Sequence, residues 1–253
     1  MSRPANAPRP VVGLYVLLAA MLAILTLSLT APGAYAALVR EDGVVEWLTA
    51  LGLLATASAL AARYRERARR RGPAWRGVVL TAAAAALFGF GEEISWGQRI
   101  VGYAVAEGSL LDTYNLQGET NVHNLAVGGW KVNKVVFTWG LGLVLLAYFV
   151  AYPLATRRRP RLRAYALRRY GVPAPDGESV VVAALAGAVA QAIPLSRSSE
   201  AFELVLPVLA LVTVLQWRGA GAASARAASD GAERSGPVTR RPAAAGCGSA
   251  SSA

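Results

Sequence analysis

Cysteine and histidine are almost missing from this sequence. Of its 253 residues one is a cysteine, Cys247, and one is a histidine, His123. A lone cysteine forms no intrachain disulfide and builds no thiolate zinc site. A lone histidine excludes any site that draws two or three imidazoles from one chain. Acids are also scarce. Fifteen Asp and Glu stand against 26 Lys and Arg, which leaves a net charge of +11 and a pI near 10.5. Such a balance can mark a nucleic-acid binder. Here the arginines sit in short loops beside long apolar runs, which argues against nucleic acid and for a membrane surface. The chain has no internal repeat and no nucleophile-elbow motif.

What the chain has in abundance is apolar sequence. Hydrophobic residues make up 55%, and the mean hydropathy is +0.39. A transmembrane helix needs ~20 apolar residues to cross a ~30 Å hydrocarbon core. Six runs qualify as candidates, at about 11–31, 43–63, 77–97, 134–154, 179–195 and 201–217. The fold class expected is therefore all-α, a polytopic membrane bundle occupying 1–217. The last two runs are short and interrupted by Pro194 and Pro207, so they read as a tilted pair or as a re-entrant hairpin. Residues 218–253 are rich in Ala, Gly, Ser, Arg and Pro without apolar periodicity and read as a disordered cytoplasmic tail. The first run ends in Ala34-Tyr35-Ala36, a signal-peptidase-like pattern, but it is longer than the usual apolar core of a signal peptide.

The arginines orient the bundle. One loop carries Arg63, Arg65, Arg67, Arg69, Arg70, Arg71 and Arg76, and another carries Arg157, Arg158, Arg159, Arg161, Arg163, Arg168 and Arg169. If six helices alternate, both loops and both termini share one side, and the positive-inside rule makes that side cytoplasmic. The opposite side is net negative.

That negative side holds the unusual residues. The stretch Phe88 to Arg99, FGFGEEISWGQR, puts Glu92 and Glu93 inside a membrane-like run. A carboxylate at the bilayer centre costs ~2.5–3.5 kcal/mol on insertion scales, so it needs an offset. On a regular helix Glu92, Ser95, Trp96 and Arg99 form one stripe, and Glu93 points ~100° away. One carboxylate then faces the interior and the other the interfacial zone. An interfacial anchor accounts for Trp96 and Arg99 but less well for the two acids. The many small residues from Thr81 to Gly91 make this third run the expected central helix. Asp42, Glu46 and Thr49 share a face of the second run, so Glu46 either caps a solvated helix start or points toward the same site.

Residues 98–133 form the longest outer connection, and its core is NLQGETNVHN, Asn115 to Asn124. If that block is helical, Glu119 and His123 are i, i+4 neighbours, as are Thr120 and Asn124. A carboxylate beside an imidazole fixes the histidine tautomer and raises its basicity. The plain alternative is an amide-rich polar loop. Near 196–203, Ser196-Arg197-Ser198-Ser199-Glu200 and then Glu203 add a further polar tip.

The blocks REDGVVEWLTALGLL, GEEISWGQRI and NLQGETNVHN resemble a group of bacterial multi-pass membrane proteins of no assigned activity. They cover roughly residues 40–125. The resemblance implies a bacterial, membrane-embedded protein and carries over no functional residue.

If the outer ends converge, they form an acidic, amide-rich pocket facing the periplasm or cell exterior. The candidate catalytic residues are Glu92, Glu93, Glu119 and His123. The candidate binding residues are Glu46, Arg99, Gln117, Asn121, Asn124, Arg197 and Glu203. One reading is a membrane enzyme acting on a lipid or lipid-linked substrate. It would use His123 or a carboxylate as base, or a divalent metal held by Glu92, Glu119 and His123. Ser95 or Ser198 would be the nucleophile of a serine variant. The other readings are a cation, proton or solute carrier, and a non-catalytic partner or sensor. The partners implied are the lipid bilayer and a lipid-like small molecule, with the oligomeric state open. The topology is tested by Arg70→Cys, Leu110→Cys and Arg163→Cys, each in a Cys247→Ser background. With an impermeant thiol reagent on intact cells, only position 110 is expected to label.

Overall fold

A computed structural model describes residues 11–132, 135, 139, 140, 142–196 and 198–215. The expected tail, Arg197 and Lys134 lie outside the described residues. The structure is mostly helical, and four helices are long and apolar enough to cross a membrane: Val12–Thr30, Val44–Arg70, Pro73–Glu93 and Ser198–Leu215. Two further apolar helices, Gly142–Arg157 and Gly177–Gln191, are shorter.

Helix α1 (Val11–Thr30) contains no charged residue. Leu14, Leu17, Met21, Ile24 and Ser28 are buried. Their alternating spacing of three and four keeps one seam of the helix turned inward. α1 packs on α10 (Gly177–Gln191), whose inward positions include Ala183, Ala186 and Ala190. Such short side chains let two backbones approach closely, as membrane helix pairs require. The outward residues of α1, including Val16, Leu22 and Leu29, are exposed and apolar. A helix that is apolar all round suits lipid. α2 (Pro32–Leu38) contains Ala34-Tyr35-Ala36; Tyr35 is buried and its hydroxyl donates to the Ser196 carbonyl at 3.2 Å.

α3 (Val44–Arg67) and α4 (Pro73–Glu93) form an antiparallel hairpin joined by a short turn that holds Arg69, Arg70 and Arg71. At its arginine-rich end Trp75 is fully buried beside Leu60, Val79 and Val214, with its ring stacked on Tyr64.

The helix at the centre is not the one the sequence singles out. It is α11 (Ser198–Leu215), the most buried of the four long helices. Ala201, Leu204, Val205, Leu209 and Val212 join it to the α1/α10 side, and Val214 joins it to α3 and α4. A Cβ on Gly13 would lie 2.8 Å from Val212, and one on Gly52 would lie 2.9 Å from Pro207. α11 is thus gripped on two sides by glycines of other helices. The alanines of α4 serve its pairing with α3, and Leu80, Leu87 and Phe88 face outward. Pro207 does not break the last run: residues 198–215 are continuously helical.

The fourth apolar stretch is irregular. α7 (Gly142–Leu146) passes through a π-helical turn at Ala147–Ala151 into α8 (Tyr152–Arg157). Tyr148 and Tyr152 donate to the carbonyls of Pro173 and Val172 at 3.0 and 2.9 Å. They thereby hold the chain that runs from α9 (Pro160–Arg169) to α10.

The glycine contacts can be tested by a matched pair. Gly52→Ala should destabilise the protein by ~1–3 kcal/mol, since overpacking forces α3 and α11 apart. Gly77→Ala, whose Cβ meets nothing within 4 Å, should be neutral or stabilising by up to ~1 kcal/mol. Thermal unfolding in detergent reads both.

Candidate functional site

α4 stops at Glu93, and the reason is local. Ser95, Trp96 and Gly97 take φ of 46°, 52° and 85°, three left-handed residues in a row. For Ser and Trp that region costs ~1–3 kcal/mol each and persists only where the surroundings impose it. The imposing contacts are visible. Gly91 lacks a Cβ, which would lie 3.0 Å from the Trp96 ring, so the indole folds back along the last turn of α4. There its Nε1 donates to Glu92 Oε1 at 2.7 Å, and its ring meets Phe88 edge-on. The expected helical stripe of Glu92, Ser95, Trp96 and Arg99 therefore does not exist. The turn places these residues instead, and α5 (Gln98–Val101) sets off in a new direction.

The 115–124 block is not helical either. The i, i+4 pairing of Glu119 with His123, and of Thr120 with Asn124, is absent, because Asn115 ties the segment into turns. Its Oδ1 accepts from the amides of Gln117 at 2.9 Å and Glu119 at 3.2 Å. Its Nδ2 donates to the Asn121 carbonyl at 2.7 Å. Asparagine side chains that mimic backbone in this way compete with helix formation. Gly118 turns the chain at φ 67°, and the Leu116 amide closes the loop on the Asn124 carbonyl at 3.1 Å.

This knotted loop folds back onto the end of α4. Glu92, 2% exposed, accepts at Oε2 from two successive backbone amides, Val122 at 2.7 Å and His123 at 2.9 Å. Successive amides form a concave nest for an anion, and here the anion is a side chain of the protein itself. His123 Nδ1 lies 3.4 Å from the same oxygen. Asn121, fully buried, donates to Ser95 Oγ at 3.2 Å and to Glu119 Oε2. Ser95 donates to Glu119 at 3.0 Å, and Asn124 does so at 3.2 Å while also donating to Gln117. Thr120 donates its hydroxyl to the Ser95 carbonyl and its amide to Gln98 Oε1. The loop–α4 contact is thus almost entirely hydrogen-bonded.

A second set surrounds Arg99. Its guanidinium meets Asp42 at 3.1 Å, Glu46, and Glu119 at 3.7 Å. Burial works against its charge, but the hydrogen bond to Glu46 and the charges of Glu46, Glu119 and Asp42 outweigh that. They hold its pKa above the ordinary arginine value. Arg99 is therefore engaged by protein carboxylates and does not present a vacant fork for an anionic headgroup. Asp42 lies before α3, which begins at Val44, so it does not share a helical face with Glu46. The two acids meet through Arg99 and through the Asp42 amide, which donates to Glu46 at 2.8 Å. The cleft bounded by Asp42, Glu46, Trp47, Glu93, Arg99 and Ile100 encloses about 10 Å³, room for about one water.

Glu93 and Glu203 stand apart. Glu93 lies in electrostatic range of Glu203, Glu46 and Glu200, and Glu203 in range of Glu200, Glu46 and His123. Glu92 is buried against the loop, whereas Glu93 is half-buried and lines the cleft with Glu46 and Arg99. Among the described residues no hydrogen bond to the Glu93 or Glu203 carboxylate is found. Pro207, four residues on, also leaves the Glu203 carbonyl without its helical donor. No three His, Asp or Glu side chains among the described residues are placed to hold a metal, Glu92, Glu119 and His123 included. Ser95 is fully buried and bonded to Glu119 and Asn121, away from His123.

Sequence reasoning gave Trp96 only the role of an interfacial anchor and Asn115 only that of one donor among several. The signal for the first was Gly91, five residues before the indole it accommodates. No family model, curated protein or solved structure matches this chain.

The nest can be tested directly. Glu92→Gln keeps one acceptor oxygen and sets an amide NH₂ against either the Trp96 N–H or the Val122 and His123 N–H pair, which strands a buried donor at ~1–3 kcal/mol. Hydrogen exchange at the Val122 and His123 amides should accelerate by about 10–100-fold, while exchange in α1 stays unchanged.

Proposed function

We infer that this chain is a multi-pass protein of the bacterial cytoplasmic membrane with six spans and both termini inside. Its outer polar centre acts on a lipid or lipid-linked substrate by acid–base chemistry. The observation that carries this reading is the Glu92–His123 pair. A fully buried carboxylate, held rigid by two amides and an indole, sits 3.4 Å from Nδ1 of the chain's one imidazole. A carboxylate so placed keeps the proton on Nδ1 and leaves Nε2 as the basic atom. His123, about a quarter exposed, is the general base that takes a proton from a water or a substrate hydroxyl. Glu92 is its positioning residue. Arg99, Glu46, Glu119, Gln117, Asn121 and Asn124 hold the loop that carries the base. The outer leaflet is the natural source of substrate, since the lipid-facing surfaces of α1 and α4 are continuous with the membrane.

A second reading rests on a separate observation, the Glu93 and Glu203 carboxylates, which accept no hydrogen bond among the described residues. Acids without donors inside a bundle suit a cation or a proton. In that case the protein binds or conducts a cation, and flux into liposomes depends on Glu203.

Purified protein in lipid should turn over a candidate outer-leaflet lipid. His123→Ala and Glu92→Gln should each lower the rate by about 10²–10⁴-fold. The double variant should be little worse than either single one, as for residues acting as a unit. Unchanged turnover in His123→Ala would overturn the enzymatic reading. Cation flux lost in Glu203→Gln, without lipid turnover in the native protein, would establish the second.

A further inference from the structure

At the opposite end of the bundle two arginine-rich connections, far apart in sequence, are brought together. Arg71, from the α3–α4 turn, donates to the Arg168 carbonyl at the end of α9 at 3.4 Å. The same guanidinium sits 5.9 Å over the Trp75 ring, and Arg76 Nε donates to the Arg71 carbonyl at 3.0 Å. Gly171, at φ 73°, brings the chain after α9 against the edge of Trp75 so closely that a Cβ there would lie 2.4 Å away. One buried tryptophan therefore joins both connections into a single surface.

That surface is cationic and short of counter-charge. Arg65, Arg69, Arg70, Arg161, Arg163 and Arg169 are exposed, and none makes an ion pair among the described residues. The acids of the second connection are engaged elsewhere. Asp176 caps α10 by accepting from the Ser179 amide at 2.7 Å, and Glu178 accepts from Tyr15 of α1 at 2.8 Å. Glu66, exposed between Arg65 and Arg67, is a single carboxylate against these six arginines, and packing so many like charges together is unfavourable unless an external anion completes the surface.

α9 says what kind of anion. It is ten residues long, strongly polar on average, and has no buried residue. Leu162 and Tyr165 stand one turn apart on one side, 40% and 51% exposed. Arg161 and Arg168, two turns apart, share another side. Apolar residues beside arginines on a helix with no protein against either face is the pattern of a helix lying in a headgroup layer. A soluble anion would satisfy the arginines but not Leu162 and Tyr165.

We propose that the α3–α4 turn and α9 form one binding surface for anionic phospholipid, with α9 in the plane of the headgroups and its arginines on their phosphates. The proposal rests on the membrane reading above but not on its catalytic part.

The full chain is reconstituted into vesicles of phosphatidylcholine and phosphatidylglycerol carrying traces of either lipid in spin-labelled form. Electron paramagnetic resonance then measures how much of each label is immobilised at the protein. The anionic label should be immobilised in excess, by about fivefold for each arginine that meets a headgroup, and salt should erase the excess. Arg161→Gln, Arg163→Gln, Arg168→Gln and Arg169→Gln together should bring the anionic label down toward the neutral one. Arg40→Gln, at the other end, should leave it unchanged. Equal immobilisation of the two labels by the native chain overturns the proposal, as does an excess that salt or the fourfold variant leaves intact. A chain stripped from vesicles by alkaline carbonate overturns the membrane reading and this proposal together, and so separates the two failures.

Discussion

The Glu92 carboxylate in the nest of the Val122 and His123 amides is the interaction on which this end of the protein depends. A carboxylate at the end of an apolar helix is tolerable only if its charge is met. A non-helical loop against a membrane helix is tolerable only if its amides are met. Each solves the problem of the other. The remaining contacts are organised around this exchange. Trp96 covers the second oxygen of Glu92, Asn121 and Ser95 lock the neighbouring turn, and Glu119 links the loop to Arg99.

Strain is confined to the same place. Ser95 and Trp96 are two of the three non-glycine residues among those described with positive φ; the third, Asp42, contacts Arg99 in the adjoining set. Left-handed residues that hold hydrogen-bonded side chains mark sites where geometry is enforced from outside. This separates two kinds of acid. Glu92, Glu119 and Glu46 spend their lone pairs on the scaffold, whereas Glu93 and Glu203 accept no hydrogen bond among the described residues. Charge alone does not make that distinction. It takes the hydrogen-bond partners to identify an acid that holds the structure.

The sequence revealed the location of this centre more readily than its construction. Long apolar runs marked the helices, and the cost of Glu92 and Glu93 pointed to the residues that needed partners. The amides of 115–124 supplied them, as their donor count implied. What was not legible was the path of the backbone. Helical periodicity was carried through Ser95 to Arg99 because nothing local forbade it. The break comes from Trp96 folding onto Gly91, a contact that periodicity does not encode. Likewise the small residues of α4 pointed to a central helix. Centrality instead went to α11, because Gly13 and Gly52 sit on other helices and accept Val212 and Pro207.

The nest also has a consequence for biogenesis. Its ligand, Glu92, lies earlier in the chain than the amides that receive it. During synthesis the α3–α4 hairpin, with Glu92 at its end, is made before residues 115–124. The loop then condenses on an anchor already in position. No candidate span lies between Glu92 and residues 115–124, so the carboxylate and the loop amides fall on one side of the bilayer whichever way the hairpin inserts. The nest thus assembles within one connection, from residues 30 and 31 apart in the chain, and places no demand on the orientation of the helices.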